Sequence, residues 1–130
     1  MTIEVVEDFA CAPEVLWAIV GEPGRSDWVP GVTACHFDGA VRRMTMAGAG
    51  EVAERIFRVD HAARVIEYGV IESQAPLESH RASITIESRP DGSRLLWKTE
   101  VQPVMVEKFI QRAMKESLAQ LHRMVRSDGG

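Results

Sequence analysis

Apolar and polar positions alternate in part along residues 2–9, and the β-branched Ile3, Val5 and Val6 in that run predict a first strand. Pro13 then stands where the first turn of a helix tolerates it, with Glu14 beside it to suit the helix N-terminus. Val15, Leu16, Ile19 and Val20 form an apolar stripe at helical spacing, and Gly21 and Pro23 stop it. The stretch "GEPGRSDWVPG" at 21–31 carries three glycines and two prolines, so it reads as an irregular connection. It holds Trp28, a large apolar side chain that something must cover.

From Val32 to Val101 the period becomes two. "DG" at 38–39 and "PDG" at 90–92 are hairpin signals, Gly48 and Gly50 mark a third turn, and residues 60–63 a fourth. The runs between them are 32–37, 41–47, 51–59, 64–72, 79–88 and 93–101. With the first run this predicts seven strands in a meander whose neighbours pair antiparallel. After Pro103 the period changes again. Val106, Ile110, Ala113, Met114, Ser117, Leu118, Leu121 and Val125 fall on one face of a helix running to about Arg126, with Glu107, Lys108, Gln111, Lys115 and Arg123 around the rest. The "SDGG" end, residues 127–130, is expected to fray. A long helix laid across a curved antiparallel sheet buries both faces economically, so the expected class is α+β, with 1–130 as a single domain.

Composition changes this picture little. A chain of 130 residues, 45% apolar and 26% charged, is ordinary for one globular domain. The net charge of −4 gives no electrostatic reason to expect nucleic acid or an anionic membrane. No run approaches the roughly 18 apolar residues of a membrane span. The N-terminal residues lack the basic and apolar regions of a signal peptide. Cys11 and Cys35 are too few for a disulfide framework, which points to reduced thiols and a cytoplasmic home. The chain has no Asn and so no N-glycosylation acceptor.

The familiar catalytic spacings are absent or fail in context. "GAGEVA" at 48–53 matches a dinucleotide fingerprint in form, but that motif needs a following helix and "EVAERIFRV" reads as a strand. His36, His61, His80 and His122 show no metal-ligand spacing, and there is no G-x-S-x-G. Cys35 and His36 are adjacent, so on a strand their side chains point to opposite sides.

What stands out is charge on inward parities. Arg42 shares a strand parity with Met44 and Met46, and Glu54 with Val52 and Ile56. Pairing residue 47 with 50 or 51 would place 42 and 54 or 55 near one another across the hairpin. An unpaired carboxylate in an apolar interior costs several kcal/mol, so Glu54 is expected to be paired, protonated or facing a wet cavity. A structural ion pair and an acid–base group with an oxygen-binding partner both satisfy the spacing. His80 shares parity with Ala82, Ile84 and Ile86, which places it inward near a strand end. Tyr68 alternates with Ile66 and Val70, and Trp97 with Leu95; both suit a core, and a buried Tyr needs a hydrogen-bond partner.

Taken in order, "APEVLW", "WVPGV", "GAVRRMTM", "ERIFRVD", "YGVIESQAPLESHRASITIE" and "DGSRLLWKTEVQP" resemble the polyketide cyclase/dehydrase-like branch of the START-like (SRPBCC) superfamily, from about Ile3 to Val125. The resemblance implies a helix-grip fold: a seven-stranded antiparallel sheet wrapped around a long C-terminal helix, with an apolar cavity between them. The branch includes lachrymatory factor synthase, which uses an arginine and a glutamate that match Arg42 and Glu54; a pocket tyrosine common in the branch is replaced by His80.

The resulting expectation is a small, largely apolar organic ligand in that cavity and cofactor-free acid–base chemistry of the cyclase, dehydratase or isomerase kind. Glu54 would move a proton, Arg42 would hold an oxygen, and Tyr68 and His80 would orient the substrate. Met44, Met46, Ile56, Ile84 and Trp97 from the sheet, and Phe109, Ile110, Ala113 and Met114 from the helix, would form the wall, with Trp28 near the entrance. A non-catalytic binder or carrier uses the same cavity, whereas an interaction module of the chaperone-assisting kind would lack a deep one. Neither cofactor, metal nor nucleic acid is expected, and a homodimer stays open.

Overall fold

The computed structural model describes residues 2–128. Seven strands form one antiparallel sheet: β1 (Thr2–Phe9), β2 (Val32–Phe37), β3 (Val41–Met46), β4 (Gly50–Asp60), β5 (Val65–Glu72), β6 (Ser79–Arg89) and β7 (Gly92–Gln102). Helix α1 (Pro13–Val20) follows β1, and a 3₁₀ turn at Val104–Val106 leads into the long helix α2 (Glu107–Asp128). The spatial order β1-β7-β6-β5-β4-β3-β2 is a meander closed at one edge by the first strand pairing with the last. This is the helix-grip fold expected from the resemblance. One end differs from expectation: α2 continues through Asp128, so Ser127 and Asp128 are helical, and Gly129 and Gly130 lie outside the described residues.

Local chemistry explains the hairpins. Asp38 Oδ1 accepts the backbone N–H groups of Ala40 and Val41, both at 2.8 Å, beside Gly39 in a left-handed conformation. At Gly92 a Cβ would run into the carbonyl oxygen of Phe9, so only glycine lets the β6–β7 turn sit against the end of β1.

Helix α1 packs on β6 and β7, and α2 lies against β1 and α1. Leu16 and Val20 from α1 meet Ile84, Ile86 and Leu95 from the sheet and Leu118 and Leu121 from α2 in one buried cluster. The apolar stripe of α2 is therefore divided. Its C-terminal part, Leu118 to Val125, is core, while Val106 and Ile110 are only half-buried and Ala113 is exposed. Leu118→Ala should cost about 2–4 kcal/mol by the usual penalty for a buried leucine. Ile110→Ala should cost about 1 kcal/mol, because less of that side chain leaves water on folding. Equal losses in urea titrations would show that both ends of α2 are packed alike.

Candidate functional site

The site begins with the β3–β4 hairpin. Gly48 and Gly50 both take positive φ, +82° and +74°, and the turn they make pairs Met46 with Gly50. Counting back along the ladder sets Arg42 opposite Glu54. Arg42 reaches Glu54 Oε1 with Nε at 2.9 Å and Nη2 at 2.7 Å. Arg42 is 6% exposed and Glu54 8%, so both charges are taken out of bulk water and neutralise one another. Arg42 Nη1 also donates to the Pro23 carbonyl at 3.3 Å, and its guanidinium carbon lies 5.3 Å from the centre of the Tyr68 ring.

Tyr68 extends this cluster into the sheet. Its hydroxyl accepts the indole N–H of Trp97 at 3.0 Å, which leaves the phenolic hydrogen as its remaining donor. Burial pushes the Tyr68 hydroxyl well above the usual phenol range and the Glu54 carboxylate adds to the shift, so it stays protonated. Trp28 tilts against Trp97 with ring centres 5.4 Å apart. It is buried, and with Arg25, Ser26 and Val29 of the same connection it lines the cavity described below.

His80 enters from the start of β6, half-buried, with its ring centre 6.0 Å from that of Tyr68. Its Nδ1 accepts the backbone N–H of Val70 at 3.2 Å, so the neutral ring carries its proton on Nε2. Gly69 makes this approach possible, since a Cβ there would come within 2.5 Å of the His80 carbonyl oxygen. Burial lowers the His80 pKa, and the Glu54 charge opposes that only in part. The folded state thus resists a proton that the unfolded chain accepts. His80 should leave stability intact above about pH 6.5 and erode it as pH falls through the unfolded value toward the lower folded one. Thermal melts at pH 7.5 and 5.5 should therefore differ more for the wild type than for His80→Gln, with pH values chosen around the usual histidine range of about 6.5.

These groups line a cavity of about 520 Å³ between the sheet and the N-terminal half of α2. Arg42, Glu54, Tyr68 and His80 supply its polar side, and Met44, Met46, Trp97, Ile110, Ala113 and Met114 part of its apolar wall. Two residues expected on the wall are elsewhere. Ile84 is fully buried in the packed core. Ile56 keeps the face of Glu54, opposite Tyr68, but lies further along β4, where it packs against the core and borders the Gly21–Pro23 segment. Phe109 does line the cavity but is 74% exposed, at its mouth.

Sequence reasoning missed several members of the site. Thr99 lines the cavity and is buried, and extending the Leu95–Trp97 alternation by one step would have found it. Ser117 lay on the helical stripe without being read as polar wall. The Pro23 carbonyl and the Val70 N–H are backbone groups, for which side-chain patterning has no signal. Among the described residues, no three His, Cys, Asp or Glu side chains come together as metal ligands, and both cysteines are free.

The family model described as polyketide cyclase / dehydrase and lipid transport matches residues 1–126. The chain belongs to that family. Among solved structures, XoxI from Bacillus cereus superposes with a TM-score of 0.86 at 18% identity, covering 95% of this chain and 94% of the other. A protein from Thermobifida fusca superposes at 0.82 with 22% identity, covering 98% and 95%. Ara h 8.0201 superposes at 0.80 with 15% identity, covering 98% and 99%. At these identities the structures share the fold of this polyketide cyclase / dehydrase family member. No curated protein matches the chain. No helix among the described residues is long and apolar enough to cross a membrane.

Proposed function

We propose that residues 1–130 act as one cytoplasmic unit that binds a small, largely apolar organic molecule in the cavity and performs cofactor-free acid–base chemistry on it. The observation that carries this reading is a buried Arg42–Glu54 pair on the wall of an otherwise mostly apolar cavity. Its volume of about 520 Å³ suits a drug-sized molecule. Arg42 spends both of its contacts with Glu54 on Oε1, and Oε2 takes part in neither. Glu54 accepts a proton from carbon or oxygen of the ligand, and Arg42 stabilises the negative charge left on a ligand oxygen. Tyr68 and His80, each holding a proton it can donate, orient that oxygen. Dehydration, isomerisation and aldol-type cyclisation need only these parts.

A carrier without turnover is the second reading. The mutual neutralisation of Arg42 and Glu54 favours it, since a purely structural pair would look the same. Native mass spectrometry of freshly purified protein should show a co-purified organic molecule. Incubating that molecule with the protein then separates the readings, because conversion supports catalysis and unchanged release supports carriage. An empty protein that binds no apolar probe would overturn both.

A further inference from the structure

The mouth of the cavity carries an apolar surface that the ligand-binding reading does not use. Val104 is 55% exposed, Met105 80% and Phe109 74%, on the 3₁₀ turn and the first turn of α2 that follows it. Phe109 belongs to both surfaces, because it also lines the cavity. Beside these residues Lys108, Arg112 and Lys115 are exposed at helical spacings of four and three, along one strip of α2. None of the three has an ion-pair or hydrogen-bond partner among the described residues. The acids at this end are Glu107, which is half-buried, Glu78, whose backbone N–H is tied to the Gln102 carbonyl, and Glu116, exposed one turn after Arg112, so three exposed cations stand against one exposed acid on this stretch of α2. A net charge of −4 thus conceals a cationic strip next to exposed aromatic and aliphatic side chains.

We propose that this rim docks on an anionic lipid bilayer, with Val104, Met105 and Phe109 dipping into the interface and Lys108, Arg112 and Lys115 meeting acidic headgroups. The chemistry is that of an interfacial amphipathic helix, in which apolar burial and electrostatic attraction act together. Charge complementarity selects lipid over a second copy of the chain, since a symmetric pairing of this rim would set three cations of each copy against only one exposed acid, Glu116, of the other. Docking there would open the apolar cavity directly onto the layer in which apolar ligands dissolve. The proposal goes beyond the catalytic reading and does not depend on turnover.

The test is flotation of the full chain with phosphatidylcholine vesicles, with and without about a quarter phosphatidylglycerol, at low salt. Binding to the anionic vesicles should exceed binding to the neutral ones by about tenfold or more, and should fall as salt screens the charges. Val104→Ser/Met105→Ser should weaken it by about tenfold. Those two residues do not line the cavity, so this change leaves ligand retention, read by native mass spectrometry, as it was. Lys108→Glu/Arg112→Glu should weaken binding to anionic vesicles by about tenfold or more. All four positions are exposed, so melting temperatures should stay near the wild-type value. Equal binding to both vesicle types, or unchanged binding by Val104→Ser/Met105→Ser, would overturn the proposal. So would sedimentation showing a dimer that the same double substitution splits, because a second copy would then cover the rim.

Discussion

Glu54→Gln should slow acid–base turnover by roughly a hundredfold or more, the usual contribution of a positioned acid or base. The fold should survive this change. The Gln carbonyl can still accept from Arg42 Nε and Nη2, and Arg42 keeps its bond to the Pro23 carbonyl and its place against the Tyr68 ring. Stability should therefore change by about 1 kcal/mol or less, as for substitutions that keep local hydrogen bonding. Conversion of the co-purified molecule is the direct readout. Deuterium incorporation from D₂O next to the carbonyl of 2-tetralone, followed by proton NMR, is a substitute that needs only proton abstraction. A large loss of stability with unchanged conversion would reject the catalytic role and leave Glu54 as a structural residue.

Arg42→Met should act mainly on stability. It leaves the Glu54 carboxylate buried, at 8% exposure, without the guanidinium that both shields it and donates to it. Breaking a buried pair from one side costs about 3–5 kcal/mol, and water entering from the cavity lowers that toward about 3 kcal/mol here. The double variant Arg42→Met/Glu54→Gln should recover part of the loss, because no lone charge is then buried. Urea unfolding of the four proteins closes the cycle. A zero coupling energy would mean that the two side chains are independently solvated by the cavity, and that the short contacts between them carry no stability.

The contrast between these substitutions follows from where the pair sits. A salt bridge within a solid core would make both changes equally destructive. On a cavity wall, one side of the pair can exchange protein neighbours for ligand or solvent, so a charge-removing change that preserves hydrogen bonds is tolerated.

Much of this protein was legible in its sequence, for reasons of period and turn chemistry. Seven runs of two-residue period punctuated by "DG", "PDG" and paired glycines became seven strands, and the change of period after Pro103 became α2. The nearness of Arg42 and Glu54 was also legible, because a tight turn around Gly48 and Gly50 limits the register, while the pairing of Met46 with Gly50 that sets them directly opposite came from the structure. Tertiary structure decided what counting does not reach. Ile56 keeps the face of Glu54 but meets the core and the Gly21–Pro23 segment, since the alternation of a strand does not say where along it a cavity ends. The inward fold of residues 21–31 buried Trp28 and brought the Pro23 carbonyl to Arg42, and an irregular loop has no period from which to read its path. The split of α2 into a core half and a cavity half arose from what lay opposite each turn, because an apolar stripe is the same pattern whether it meets side chains or space.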